Sequence, residues 1–251
     1  MFTDTHCHVL STSYFNPEDI INNLEKNNIK RIIINGYNLK TNKEVIQLSC
    51  KYENVYGALG IHPDNINEEL EDNLKLIKDN KLNPKIIAIG EIGLDYFHNK
   101  ENKEEQTRLL EEFFKLAEEL NLPVIIHNRD ATDDLLKLLK KYHLKGIIHC
   151  FSGSLETAKE YIKLGFKLGI GGVLTFKNSH LKDVLKQISI SNILLETDSP
   201  YLTPSPLRGI PNEPLYLKFV AEELCNIYNI SIDELSLCLE ENFHDIFDIL
   251  K

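Results

Sequence analysis

Two histidines separated by a single residue, His6 and His8, begin a set of side chains suited to holding divalent cations; Glu91, His127, His149 and Asp198 complete it. Neutral imidazole and ionised carboxylate are common ligands of Zn²⁺, Mn²⁺ and related ions. Side chains two residues apart on a strand share a face, so His6 and His8 can both turn toward one ion. Asp198 can join them, His127 and His149 can hold a second ion, and Glu91 has two oxygens with which to bridge the pair. Two ions about 3.5–4 Å apart can activate a water and polarise a phosphoryl oxygen or a carbonyl. The expected cofactor is therefore two divalent metal ions (Zn, Mn or Mg), and histidine-rich ligation favours Zn²⁺ or Mn²⁺ over Mg²⁺.

Other residues fit supporting roles. His62, in Gly60-Ile61-His62-Pro63, is placed for a phosphate contact rather than for ligation. Arginine occurs only at Arg31, Arg108, Arg129 and Arg208, and the last two flank the candidate ligand motifs, so both are read as phosphate grips. The competing reading pairs them with Asp130 or Glu213 at the surface. Tyr96, Phe97 and Tyr201 are candidate stacking positions for nucleobases. Asp95 and Glu196 are candidates to orient ligand imidazoles from behind. Cys7 and Cys150 are expected to point away as small packing residues, and His98, His143, His180 and His244 are read as surface residues.

These positions lie far apart in the chain, so the elements that carry them must converge. Eight short runs rich in Ile and Val are expected strands: Met1–His8, Arg31–Asn35, Val55–Gly60, Ile86–Glu91, Pro123–His127, Gly146–His149, Phe166–Ile170 and Ile193–Thr197. They are apolar almost throughout, as strands buried on both faces should be. Helical patterns separate them, such as the stripe Leu110, Phe113, Phe114, Ala117 and Leu120. Ser231-Ile232-Asp233-Glu234 has capping-box spacing and is expected to begin a terminal helical pair, the C-terminal helical extension, while Leu217, Val220, Ala221 and Leu224 trace another buried stripe.

Five of the nine histidines (His6, His8, His62, His127, His149) fall at the C-terminal ends of these runs, where parallel α/β proteins bind ligands. An open eight-stranded sheet would spread its outer strands over more than ~30 Å, since neighbours lie about 4.8 Å apart. A closed barrel makes the first and last strands neighbours and gathers all the ends at one mouth. The expected architecture is a single-domain TIM-type (β/α)8 barrel over residues 1–251, with about 31 residues per unit.

Composition agrees with this reading. Hydrophobic content of 42% and charged content of 26% suit a globular chain. The least polar stretch, Leu168 to Phe176, is half of the ~18 residues a membrane span needs, so no membrane partner is expected. Met1-Phe2-Thr3-Asp4 begins with neither a basic segment nor an apolar core, and five scattered cysteines form no Cys-x-x-Cys pair; both features point to a cytoplasmic protein with reduced thiols. A net charge of −10 argues against a broad basic face for duplex DNA, but not against phosphate chemistry at bound cations.

The ordered motifs resemble the TatD family of metal-dependent hydrolases, within the amidohydrolase-like barrels. The resemblance runs through His6-x-His8, Gly60 to Pro63, Gly90 to Tyr96, Ile126 to Arg129, His149 to Gly153 and Leu195 to Pro204. It continues through Arg208-Gly209, Asn212-Glu213-Pro214, Asn242 and Phe247. It implies a dinuclear site of His6, His8, Glu91, His127, His149 and Asp198, and a 3′-to-5′ deoxyribonuclease acting on single-stranded or end-exposed DNA. Asp198 is then the proton acceptor, and Glu91 the catalytic bridge. The chain departs from the pattern at Leu207, Ile210 and Pro211, where basic or polar residues often accompany the Arg-Gly pair. That departure keeps a small-molecule amidohydrolase or lactonase with the same metals as the alternative. A metal- or nucleic-acid-binding protein without catalysis is a third reading, opposed by the intact ligand set.

Overall fold

Each of the Ile- and Val-rich runs forms a strand in the computed structural model, which describes residues 1–67 and 70–247. The strands are β1 (Phe2–Cys7), β2 (Ile29–Asn35), β3 (Val55–Leu59), β4 (Ile86–Asp95), β5 (Val124–Arg129), β6 (Gly146–Ile148), β7 (Phe166–Ile170) and β8 (Ile193–Leu195). They pair in parallel in chain order. Helices α1 (Pro17–Asn22), α2 (Leu39–Lys51), α3 (Leu70–Asp79), α4 (Lys103–Leu120), α5 (Thr132–Leu139), α6 (Leu155–Lys163) and α7 (Leu181–Leu185) each follow one strand. α8 (Leu217–Tyr228) and α9 (Ile232–Ile246) follow β8.

The seam between β1 and β8 closes the barrel. The Asp198 N–H donates to the His6 carbonyl at 2.9 Å, and the His8 N–H donates to the Ser199 carbonyl at 2.7 Å. Buried Asp4 locks the same seam by accepting from the Thr197 N–H (3.0 Å) and the Thr197 hydroxyl (2.6 Å). The closure that the ligand positions require is therefore made by backbone and side chain together.

Period-two alternation builds the interior in layers. Ile125 lies below His127, Ile147 below His149 and Leu194 below Glu196, so an apolar layer underlies the polar residues. Ile33, Ile87, Ile125, Ile147 and Leu194 form one cluster with Phe243, Ile246 and Phe247, so α9 and the residue after it plug the opposite end of the barrel. Asn242 fastens that plug by donating to the carbonyls of Ile190 (2.7 Å) and Ile193 (2.8 Å). The Ser231 capping box forms as its spacing predicts, but it opens the second helix of the terminal pair, α9, because the Leu217 stripe already forms the first, α8. A larger apolar layer between the sheet and its helices includes Leu110, Phe113, Phe114 and Ala117 of α4.

β4 runs four residues beyond its expected end at Glu91. Gly93 pairs with His127 and Asp95 with Arg129 across the β4–β5 edge. A Cβ at Gly93 would lie 2.0 Å from the His127 carbonyl oxygen, and its φ is +157°. Glycine here, which reads locally as a break, is what lets the two strands approach and continue.

Candidate metal centre

The mouth of the barrel collects side chains from β1, β4, β5, the ends of β6 and β8, and the segment after β3. Glu91 sits at its middle with its two oxygens facing opposite ways. Its Oε2 lies 3.2 Å from His8 Nε2 and 3.5 Å from His6 Nε2. Its Oε1 lies 2.9 Å from His149 Nε2 and 3.1 Å from His127 Nδ1. Asp198 Oδ1 completes the first group, at 3.5 Å from His6 Nε2 and 3.7 Å from His8 Nε2. The six residues predicted as ligands thus form two groups sharing one carboxylate.

The spacing suits cations. Ligand atoms about 2.0–2.1 Å from a tetrahedral ion lie roughly 3.3–3.4 Å from one another. His6 and His8 Nε2 are 3.2 Å apart, and with the four contacts to Glu91 and Asp198 the separations run from 3.2 to 3.7 Å. In the second group, His127 Nδ1 and His149 Nε2 are 3.1 Å apart. Tautomers agree where a partner fixes them. His8 Nδ1 faces the Asn35 carbonyl at 2.9 Å, which can only accept, so Nδ1 carries the hydrogen and Nε2 offers a bare lone pair. The residues present fit divalent cations.

The electrostatics favour positive charge at the centre. Burial works to raise the Glu91 carboxyl, yet the imidazoles of His149, His62 and His6 hold it well below the ordinary carboxylate range. Burial and His149 work to lower the His6 imidazole, but Glu91 and Asp198 outweigh them and push it up to about 9. Burial likewise opposes ionisation of Asp198, and the His6 contact holds its carboxyl down. Protons and metal ions therefore compete for the same lone pairs. Asp198 adopts φ +55°, a left-handed conformation that Asp tolerates better than most residues and that turns it into the mouth.

His62 stands at the edge, with its Nε2 3.6 Å from Glu91 Oε1 and its ring 4.5 Å from that of His127. Its Nδ1 accepts the Asp64 N–H at 3.1 Å. Burial pushes its imidazole down to about 4, so it is neutral near pH 7 and presents an Nε2–H donor toward the mouth. Arg129, exposed at the end of β5, lies with its guanidinium 4.1 Å from the Phe97 ring centroid. It makes no ion pair with Asp130 among the described residues. Arg208 donates to the Thr203 carbonyl at 3.1 Å and lies 4.4 Å over Phe176. Those partners belong to loops after β8 and β7, not to the six-residue cluster, so Arg208 is fixed on the rim rather than aimed at Glu91.

Among the aromatic positions, Phe97 and Tyr201 are exposed, and Tyr201 lies 6.2 Å from the His8 ring. Tyr96 departs from expectation. It is buried, its hydroxyl bonds Asp134 at 3.2 Å, and Lys103 covers its ring at 4.0 Å, so no base can stack there. Sequence reasoning missed Tyr37, whose ring is 5.7 Å from His8, and the Asn35 carbonyl, whose contact has no side-chain signature. Behind the second group, Asp95 Oδ2 accepts from His127 Nε2 at 3.1 Å. Glu196 accepts the Cys150 N–H at 2.5 Å, with the same oxygen 3.7 Å from His149 Nδ1. Cys7 is fully buried, as its packing role requires.

An eight-stranded barrel carrying four imidazoles and two shared or flanking carboxylates at its strand ends has the fold and candidate site of a metal-dependent hydrolase. The family model described as TatD related DNase matches residues 3–248, and the chain belongs to that family. The uncharacterized metal-dependent hydrolase YabD of Bacillus subtilis is 39% identical over 254 residues, covering 99% of this chain and 100% of YabD. The crystal structure of the TatD homologue YjjV from Escherichia coli superposes with a TM-score of 0.92 at 32% identity, covering 99% of this chain and 98% of that one. A TatD family hydrolase from Entamoeba histolytica gives 0.86 at 25% identity, covering 99% and 98% of the two chains. No described helix is long and apolar enough to cross a membrane.

Proposed function

We propose that this chain, acting as one domain over residues 1–251, is a divalent-metal-dependent phosphodiesterase that removes nucleotides from the 3′ ends of single-stranded or end-exposed DNA. The observation carrying this reading is the division of Glu91, one oxygen toward His6 and His8 and the other toward His127 and His149. Two cations bound by His6, His8, Glu91, His127, His149 and Asp198 would supply Lewis acidity and a water of lowered pKa. Membership of a family described as TatD related DNases supports a nucleic-acid substrate.

The chain's own residues supply the rest. Asp198, ionised at neutral pH, takes the proton of the attacking water and passes it to the leaving oxygen. Glu91 keeps the two ligand groups in register. The Nε2–H of His62 points at the mouth and donates to a non-bridging phosphate oxygen. Arg129, held against Phe97 and free of ion pairs among the described residues, supplies a guanidinium for the adjacent phosphate. Arg208 grips phosphate further out on the rim, and exposed Phe97 and Tyr201 stack with unpaired bases.

The test is incubation of Mn²⁺- or Zn²⁺-loaded protein with a 5′-labelled oligonucleotide, with and without chelator. A ladder shortening from the 3′ end, abolished by chelator and restored by added metal, is expected. An intact oligonucleotide beside metal-dependent hydrolysis of a lactone or amide would transfer the site to carbonyl substrates.

A further inference from the structure

The imidazole of His127 can meet a cation through Nδ1 only if its hydrogen sits on Nε2. Asp95 enforces this. Its Oδ2 lies 3.1 Å from His127 Nε2 and stands as the acceptor for the Nε2–H. A carboxylate can do this only if it cannot rotate, and Asp95 is held by a complete set of donors. Its Oδ1 accepts the backbone N–H groups of Phe97 (2.9 Å) and His98 (2.8 Å), and its Oδ2 accepts His98 Nδ1–H at 2.8 Å. Gln106, buried on α4, brackets the Asp95 backbone by accepting its N–H at 2.8 Å and donating to its carbonyl at 3.0 Å.

Among these donors to the carboxylate, His98 Nδ1–H is the only side-chain group besides His127 itself. Its own side chain is 47% exposed, so it fills no core volume. From sequence it reads as a surface histidine.

We infer that His98 is a positioning residue for the cation group of His127, His149 and Glu91: its Nδ1–H fixes the Asp95 carboxylate and, through it, the tautomer of His127. This rests on the metal-site reading proposed above. Groups that hold a metal-bound histidine from behind alter metal affinity by about 10–100-fold when removed. His98 acts one bond further out, so the lower end applies.

The experiment compares wild type, His98→Ala and His98→Asn by calorimetric Co²⁺ titration and by ¹⁵N-histidine NMR of metal-free protein. The Asn amide can place an N–H where Nδ1–H stands. His98→Ala should bind one of the two cations about 10-fold more weakly, with an unchanged thermal midpoint, and should shift His127 away from the Nε2–H tautomer. His98→Asn should restore both. Wild-type affinity and tautomer in His98→Ala, or no recovery in His98→Asn, would overturn the assignment. If wild type took up no Co²⁺, the metal-site reading would fail, and the NMR comparison would still decide whether His98 sets the His127 tautomer.

Discussion

Replacing Glu91 by alanine strikes both halves of the centre at once. The carboxylate faces His8 and His6 at 3.2 and 3.5 Å through one oxygen, and His149 and His127 at 2.9 and 3.1 Å through the other. Without it the first group keeps His6, His8 and Asp198, while the second keeps only two imidazoles, fewer than the three protein ligands of a typical catalytic zinc site. Loss of one preorganised donor costs about 10²–10³ in rate, so losing the shared ligand should cost at least ~10³-fold, or ~4 kcal/mol of transition-state stabilisation. Binding gives a second readout. A cation present at 100 times its Kd stabilises the native state by about 2.7 kcal/mol, and a domain of this size gains roughly 2–4 °C per kcal/mol. Wild type should therefore gain roughly 5–11 °C in Tm on adding Zn²⁺ or Mn²⁺, and Glu91→Ala much less. Hydrolysis of a chromogenic phosphodiester gives the rate, and calorimetry the Tm. A variant with the wild-type rate and the wild-type metal-induced shift would refute the assignment of Glu91.

Arg129→Ala should raise KM for an oligonucleotide about 10-fold with kcat nearly unchanged, because its guanidinium stands over Phe97 outside the ligand cluster. Arg208→Ala should raise KM less, since its described partners are Thr203 and Phe176; equal KM values for both variants and wild type would return the two arginines to the surface. At the opposite end of the barrel, Glu240 accepts from Lys30 (2.7 Å) and Arg31 (2.5 Å), and Arg31 covers Phe243 of the plug. Burial works to raise its carboxyl, but those two cations hold it down at about 2 against an ordinary 4.5. A depressed carboxyl contributes stability above its unfolded pKa and loses it as pH falls toward the folded value. Glu240→Gln should therefore cost about 1 kcal/mol near pH 7, allowing for solvent screening at this half-open pair. The difference should shrink between pH 4.5 and 2, as chemical denaturation at several pH values would show.

Chemistry that follows strand periodicity is legible in the sequence itself. His6 and His8, His127 above Ile125, and His149 above Ile147 obey the two-residue repeat, and their position at strand ends requires a closed barrel. The strands fall within a few residues of their expected bounds, with the largest difference at β4, where Gly93 looks like a break but serves a close backbone approach. Contacts that depend on distant backbone leave no trace in the sequence. The Asn35 carbonyl behind His8 carries no side-chain signal, and nothing in the spacing of Asp4 and Thr197 announces that they lock one seam. Tyr96 departs from its expected role and His98 is exposed as expected, but the contacts of both are set by tertiary neighbours. Lys103 closes over the Tyr96 ring, and His98 reaches back from the surface to buried Asp95. The plug made by Phe243, Ile246 and Phe247 likewise depends on where α9 packs, which its amphipathic pattern alone leaves open.

The central claim is that the Glu91 carboxylate lies between two bound cations. Crystals grown with Zn²⁺ or Mn²⁺, measured at the metal's absorption edge, test it most directly. Two anomalous peaks about 3.5–4 Å apart are predicted, one against His6, His8, Asp198 and Glu91 Oε2 and the other against His127, His149 and Glu91 Oε1. No peak at the barrel mouth, or ions that leave Glu91 uncoordinated, would contradict it.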